Sequence, residues 1–254
     1  MTEHALLNGE LTLHGRVMPA SNATFVGEIA ERRVVYKPVA GERPLWDFPD
    51  GTLAEREEAA YLVSEALGWN VVPETFRRDG PYGPGMVQLW QEPDPVQEAV
   101  TVVRDTDVPD GYLYVFEGLD DRDQVVSLVH EDTPELRRMA VFDAVVNNAD
   151  RKGGHVLAMP DGHRYGVDHG LTFHVEHKLR TVLWGWAGEM LSDPDRLGLQ
   201  VLSDRLEDDL GACLLELLTP HEVEATRRRV KRLLRVGTLP EPGQGWRAIP
   251  WPPF

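Results

Sequence analysis

The chain has 254 residues, and its 26 Lys and Arg stand against 42 Asp and Glu for a net charge of −16, which argues against nucleic acid or anionic membrane as a partner because both would be repelled. Its single cysteine, Cys213, excludes an intramolecular disulfide framework and a Cys-rich zinc site, and between Leu210 and Leu215 it reads as a small core residue. No apolar run approaches the ~20 residues of a spanning helix and the N-terminus shows no leader pattern, so a cytoplasmic protein without stable membrane insertion is expected.

In chain order, residues 6–37 read as strand, turn and strand: 11–17 alternates apolar and polar residues, 19–23 is turn-rich, and 24–29 leads on to Arg33-Val34-Val35-Tyr36-Lys37-Pro38. A lysine ending a β-branched strand suits a nucleotide site, since a rigid strand fixes the ammonium against the α and β phosphates. Residues 52–68 predict a helix, with Thr52 as N-cap, Glu55 completing a capping box and Gly68 at the stop. Residues 71–76 and 85–90 predict a hairpin joined by 79–84, and Pro93 breaks the second strand's continuation. The acidic stretch 94–132 reads as a partly exposed insertion with one short strand or helix, and it lacks EF-hand spacing.

Thr133 and Pro134 open a further helix, in which Leu136, Met139, Phe142 and Val146 form a buried face. Beyond it, Trp184 and Trp186 serve either packing or the wall of an acceptor pocket. Helices continue through Leu206, Leu210, Leu214 and Leu217. The last starts at Thr219-Pro220-His221-Glu222 and ends rich in Arg and Lys, cations that suit a helix C-terminus. The tail from Trp246 to Phe254 is expected to pack back onto the body.

The chemistry concentrates in Asn147-Asn148-Ala149-Asp150-Arg151-Lys152-Gly153-Gly154-His155, followed 13 residues later by Asp168 within Tyr165-Gly166-Val167-Asp168-His169-Gly170. One loop and one nearby hairpin thus deliver two carboxylates and an imidazole. Phosphoryl transfer needs a carboxylate beside the attacking hydroxyl, and a carboxylate with one further ligand to hold a divalent metal. Asp150 and His155 are five apart, the spacing between the catalytic Asp and the metal-binding Asn of the protein-kinase pattern. The segment resembles the Asn-x-Asp-Arg-x-x-x-Asn loop and Asp-x-Gly segment of phosphatidylinositol 4-kinase type II and HipA-like kinases. It looks closest to actinobacterial proteins of the phosphatidylinositol 3-/4-kinase-like family.

The resemblance spans roughly residues 15–175 and implies an α+β, bilobal protein-kinase-like fold. A small β-rich N-lobe (1–93) would bind the nucleotide, and a mainly helical C-lobe (94–254) would carry the catalytic loop. It implies ATP with Mg2+ or Mn2+, Asp150 as a catalytic residue, and His155 and Asp168 as metal ligands. Lys152 departs from the family and, two residues beyond Asp150, is a catalytic candidate as a point charge that neutralises the transferred phosphoryl group, with simple solvent exposure the alternative. Lys37 would meet the phosphates, paired by a helix glutamate: Glu57 when Asn70-Val71-Val72-Pro73 is set on the family's Asn-Ile-Val-Pro, with Glu58 the competitor. Ser21 and Asn22 correspond to the family's phosphate-binding turn, although both are also ordinary turn residues. Gln91 and Glu92 fall in the hinge, where backbone atoms meet the adenine. The acceptor would be an inositol-type or polyol headgroup or a protein. His155 stands where most of the family has Asn, and imidazole favours manganese over magnesium; ligation by His155 would place an acid limb near ~6.5. The departure leaves open a nucleotide-binding pseudokinase with a regulatory role, and the Asp/His cluster alone would suit a metal-dependent phosphoester hydrolase.

Overall fold

The computed structural model describes residues 3–18, 22–43, 45–48, 52–104, 108–243 and 247–254, with the side chains of 3–5 left aside. A short helix α1 (Glu3–Asn8) precedes five antiparallel strands, β1 (Thr12–Arg16), β2 (Phe25–Ile29), β3 (Arg32–Pro38), β4 (Thr75–Gly80) and β5 (Gly83–Leu89), ordered β1-β2-β3-β5-β4. Alternation turns Ile29, Val34, Tyr36, Val87 and Leu89 to one buried face, where Leu6, Leu11 and Phe76 close the small core. The hairpin turn is tighter than expected. The strands extend to Gly80 and from Gly83, leaving Pro81 and Tyr82 as the loop, while 71–74 is irregular, with 71–73 buried.

Helix α2 (Leu53–Leu67) begins with the expected capping box of Thr52 and Glu55 and stops at Gly68 in the left-handed region. A second device holds its start, because the Glu42 carboxylate accepts from Leu53 N–H and Ala54 N–H, both at 2.9 Å. Two bonds from orphan amides, with a negative charge at the positive end of the helix, fix its direction. Ala59, Ala60, Val63 and Leu67 join the larger core built around the C-terminal helices rather than the sheet's own. Arg56 pins α2 further, pairing with Glu222 at 2.7 Å and donating to Thr172 O at 2.7 Å.

Residues 100–131 correct the expected single short element. They form an antiparallel three-stranded sheet, β6 (Val100–Arg104), β7 (Tyr112–Leu119) and β8 (Val125–Glu131), ordered β6-β8-β7. Central β8 is buried from Ser127 to Glu131, and the acidic residues that mask the strand pattern lie in the connections. Asp105 and Asp107 fall outside the described residues.

Helix α3 (Pro134–Val146) is capped by Thr133 and ends at Asn147 with φ 54°, a conformation that Asn tolerates. The hairpin of β9 (Val156–Ala158) and β10 (Arg164–Gly166) follows, then α4 (Asp193–Leu206), α5 (Asp209–Leu215) and α6 (Pro220–Val236). The basic residues of α6 do more than complement its own dipole. Arg229 donates to Val145 O at 2.8 Å, near the C-terminus of α3, and Arg227 donates to Leu206 O at the end of α4. Cys213 is exposed rather than core, since Leu210, Gly211 and Leu214 take the inward face of α5. Among the described residues no helix is long and apolar enough to cross a membrane.

Candidate active site

Lys37 leaves β3 opposite Met86 of β5, and its ammonium lies 2.7 Å from Glu57 Oε1 and 2.8 Å from Asp168 Oδ1. Burial disfavours the charge on Lys37, but Asp168 and Glu57 outweigh it and raise its pKa. Asp168 is held well below the usual carboxylate range, chiefly by the Lys37 charge. Burial pushes Glu57 up despite the same lysine. Glu57 Oε2 also accepts from His169 N–H at 2.8 Å, so α2, β3 and the 168–170 segment meet at one carboxylate. The neighbouring Glu58 turns away to Arg77.

Across the cleft, the loop after α3 rests on a buried ion pair. Asp143 and Arg151 are both fully buried, with Arg151 Nε and Nη2 donating to the two carboxylate oxygens at 2.9 Å each. Asn148 donates to Asp143 Oδ1 at 3.0 Å and its own Oδ1 accepts from Asp150 N–H at 3.0 Å, which aims Asp150 outward. Arg151 also donates to His155 O and Val167 O, at 3.1 and 3.2 Å, tying the loop to the segment between β10 and Asp168. A Cβ on Gly166 would lie 2.8 Å from the Arg151 guanidinium, so a larger residue there would push that group out of its place. Asp168 has φ 61°, a conformation that costs an L-residue energy and is typically retained where function requires it.

The cleft between these two walls has a volume of about 550 Å³. Its lining includes the apolar Val35, Leu157 and Val167, then Trp90, Gln91 and Pro93 from the segment after β5, and the polar Lys37, Asp150, Lys152, His155 and Asp168. Asn22 also lines it, while its side-chain oxygen accepts from Arg43 N–H at 2.9 Å as turn chemistry would have it. Glu92 is not part of the lining; its carboxylate faces solvent and pairs with Arg33 at 3.0 Å. Ser21 and Trp246 fall outside the described residues. Lys152 Nζ is 3.5 Å from Asp150 Oδ2, and burial raises the Asp150 pKa while the lysine opposes it. Trp184 and Trp186 do not wall this cleft: their indole N–H groups bond Ala248 O and Asp132 Oδ1 in the packed interior.

No protein-family profile matches the chain. Protein Rv2133c of Mycobacterium tuberculosis (strain ATCC 25618 / H37Rv) is 51% identical over 266 residues, covering 99% of this chain and 95% of that protein. The chain belongs to the Rv2133c family. Among solved structures, the Golgi casein kinase matches with a TM-score of 0.53 at 13% identity, over 92% of this chain and 72% of that one. The proinflammatory kinase CtkA of Helicobacter pylori matches at 0.48 and 10% identity, over 92% and 94%, too loosely for a fold assignment to rest on it. This member of the Rv2133c family therefore has the bilobal, protein-kinase-like α+β fold, with a small β-rich lobe and a mainly helical one.

The donor set for a divalent metal in this Rv2133c family site is small but oriented. His155 Nδ1 lies 2.9 Å from Asp150 O; a carbonyl only accepts, so Nδ1 carries the proton and Nε2 keeps its lone pair. That lone pair lies 3.5 Å from Asp168 Oδ2, the arrangement of a ligating imidazole held by a second partner. Burial lowers the His155 pKa to about 4, below the ~6.5 of an exposed imidazole. Among the described residues no group of three His, Cys, Asp or Glu converges on one point. Two protein donors, with phosphate and water oxygens completing the shell, is how nucleotide-bound magnesium is commonly held, so the residues fit such an ion.

Three participants were missed in the sequence. Asp143 carried a signal, since a carboxylate amid the apolar run of α3 demands a buried partner. His169 had none beyond its place after Asp168. Phe254, at the end of the tail, lines the cleft: Pro253 O accepts from Gly153 N–H at 2.8 Å, and the Phe254 ring lies against the Gly153 Cα where a side chain would collide with it.

Proposed function

We propose that the protein is an ATP-dependent phosphotransferase of the phosphatidylinositol 3-/4-kinase-like type, passing the γ-phosphoryl group to a hydroxyl of an inositol-type or other polyol headgroup, or of a protein. The observation that carries this reading is Lys37, held at once by Glu57 at 2.7 Å and Asp168 at 2.8 Å in a cleft that also contains Asp150. An isolated buried lysine would be a packing accident, whereas one clamped between two elements at the end of a nucleotide-sized cleft is a charge prepared for phosphate. Residues 1–93 are assigned to the nucleotide lobe and 94–254 to the catalytic lobe.

In this reading the adenine lies between Val35 and Leu157, with its edge towards the backbone of Gln91, and Lys37 meets the α and β phosphates. Asp150 orients the acceptor hydroxyl and takes its proton as the acceptor oxygen bonds the γ phosphorus and the bond to the β,γ-bridging oxygen breaks, releasing ADP. Its raised pKa makes it a better proton acceptor than an exposed aspartate. Lys152 offsets charge on the moving phosphoryl group as a point cation. His155 and Asp168 would hold magnesium or manganese, which when bound neutralises charge on the phosphates.

The test is ATP consumption with each metal against free inositols, phosphoinositides and protein substrates. Acceptor-dependent consumption supports the reading. Nucleotide binding without turnover on any acceptor would replace it with a regulatory pseudokinase, and phosphoester cleavage without ATP with a hydrolase.

A further inference from the structure

His169 is fully buried with its ring edge against Phe142, and its two nitrogens face different parts of the site. Nε2 lies 2.7 Å from Arg151 Nη2. A guanidinium only donates, so Nε2 accepts and the ring proton sits on Nδ1. That Nδ1 is buried and has no hydrogen-bond partner among the described residues. The carboxylate oxygen it faces, Glu57 Oε2, is 3.9 Å away. The gap is beyond hydrogen-bond range, and a water bonded to both at about 2.8 Å with a tetrahedral angle would need about 4.6 Å. A buried donor without a partner is unfavourable, and such groups in a native site call for a reason. Closing the gap takes a shift of only about 1 Å in α2, which carries Glu57.

We propose that His169 is a positioning residue: it ties Glu57, and through it Lys37, to the Arg151–Asp143 pair under the catalytic loop, and its Nδ1–H closes onto Glu57 Oε2 when nucleotide draws α2 inward. The proposal rests on the phosphotransferase reading for the role of Lys37. It joins the two lobes through side chains that never touch the substrate. Arg151 fixes the ring from the catalytic-loop side, and the ring orients the glutamate that holds the phosphate-binding lysine.

The experiment is calorimetric titration of MgATP into the full chain as parent, His169→Phe, His169→Asn, Glu57→Gln and the double variant E57Q/H169F. Phenylalanine keeps a ring against Phe142 but neither nitrogen, whereas the asparagine amide offers an N–H where Nδ1–H stood. Expected are an affinity about ten-fold weaker in H169F, the loss of one hydrogen bond to a charged group, and H169N within about three-fold of the parent. Because His169 acts through Glu57, E57Q/H169F should be within about two-fold of E57Q alone. Should H169F fail to fold, His169→Gln takes its place with the same expected loss, since it keeps an acceptor for Arg151 but no donor at the Nδ1 position. Additive losses in the double variant, or H169N as weak as H169F, would overturn the proposal while leaving the phosphotransferase reading intact. A parent that binds no MgATP overturns that reading and this proposal with it.

Discussion

Replacing Asp143 with alanine would leave the Arg151 guanidinium buried and without a counter-charge. Both side chains are fully buried and share two bonds of 2.9 Å, and the remaining Arg151 partners, His155 O, Val167 O and His169 Nε2, are neutral. Breaking such a pair from one side costs about 3–5 kcal/mol, which for a chain of this size is a fall in melting temperature of about 6–20 °C. Removing both charges, as in D143L/R151M, deletes the uncompensated cation, so the double variant should be no less stable than the single. Urea unfolding followed by near-ultraviolet circular dichroism measures all three proteins. A cost below about 1 kcal/mol for D143A, or a double variant clearly less stable than D143A, would refute the reasoning that an orphaned charge dominates.

The other predictions concern the cleft itself. Lys37→Ala should weaken ATP binding and turnover together, by about ten-fold or more as expected for a lost charge-assisted contact; unchanged affinity in an equilibrium titration would remove Lys37 from the phosphate site. Asp168→Asn should abolish metal-dependent nucleotide binding, while Asp150→Asn should bind as the parent does and turn over more slowly, and equal loss of binding in both would collapse the division of roles. His155→Asn should retain turnover but shift preference from manganese towards magnesium, because an amide oxygen is the harder donor; the ratio of rates with the two metals decides. His155 also predicts a stability difference with pH. Its folded pKa of about 4 lies below the unfolded value of about 6.5, so its contribution is full above pH ~6.5 and is lost as pH falls towards 4, worth about 3 kcal/mol. The gap in unfolding free energy between parent and H155N should therefore narrow by about that amount between pH 7.5 and 4, and a pH-independent gap would contradict the burial argument.

Local chemistry made α2 and α3 legible: Thr52 with Glu55 and Thr133 with Pro134 mark helix starts wherever they occur, because orphan amides need partners. The loop from Asp150 to His155 stood out for a different reason, since its spacing puts a carboxylate and an imidazole into the lining of one cleft. The sheet at 100–131 was obscured by its connections. Acidic residues at Asp110, Asp120, Asp121 and Asp123 dominate the composition, whereas the strands themselves carry β-branched and aromatic residues such as Val102, Val103, Tyr112, Tyr114, Val125 and Val126 without a clean alternation. Cys213 was misjudged because a run of apolar neighbours does not say which face of a helix each occupies. The contacts of His169 and Phe254 were out of reach altogether, for both depend on segments distant in sequence, with Glu57 112 residues from His169.

The tail has a practical consequence for anyone handling the protein. Phe254 is half exposed and forms part of the cleft wall with Lys152 and Gly154, so a peptide fused after it begins at the cleft. On the phosphotransferase reading proposed above, a purification tag in that position would crowd the cleft that the substrates share. On that reading, a screen run with such a fusion would score bulky candidates as inert for reasons that belong to the tag.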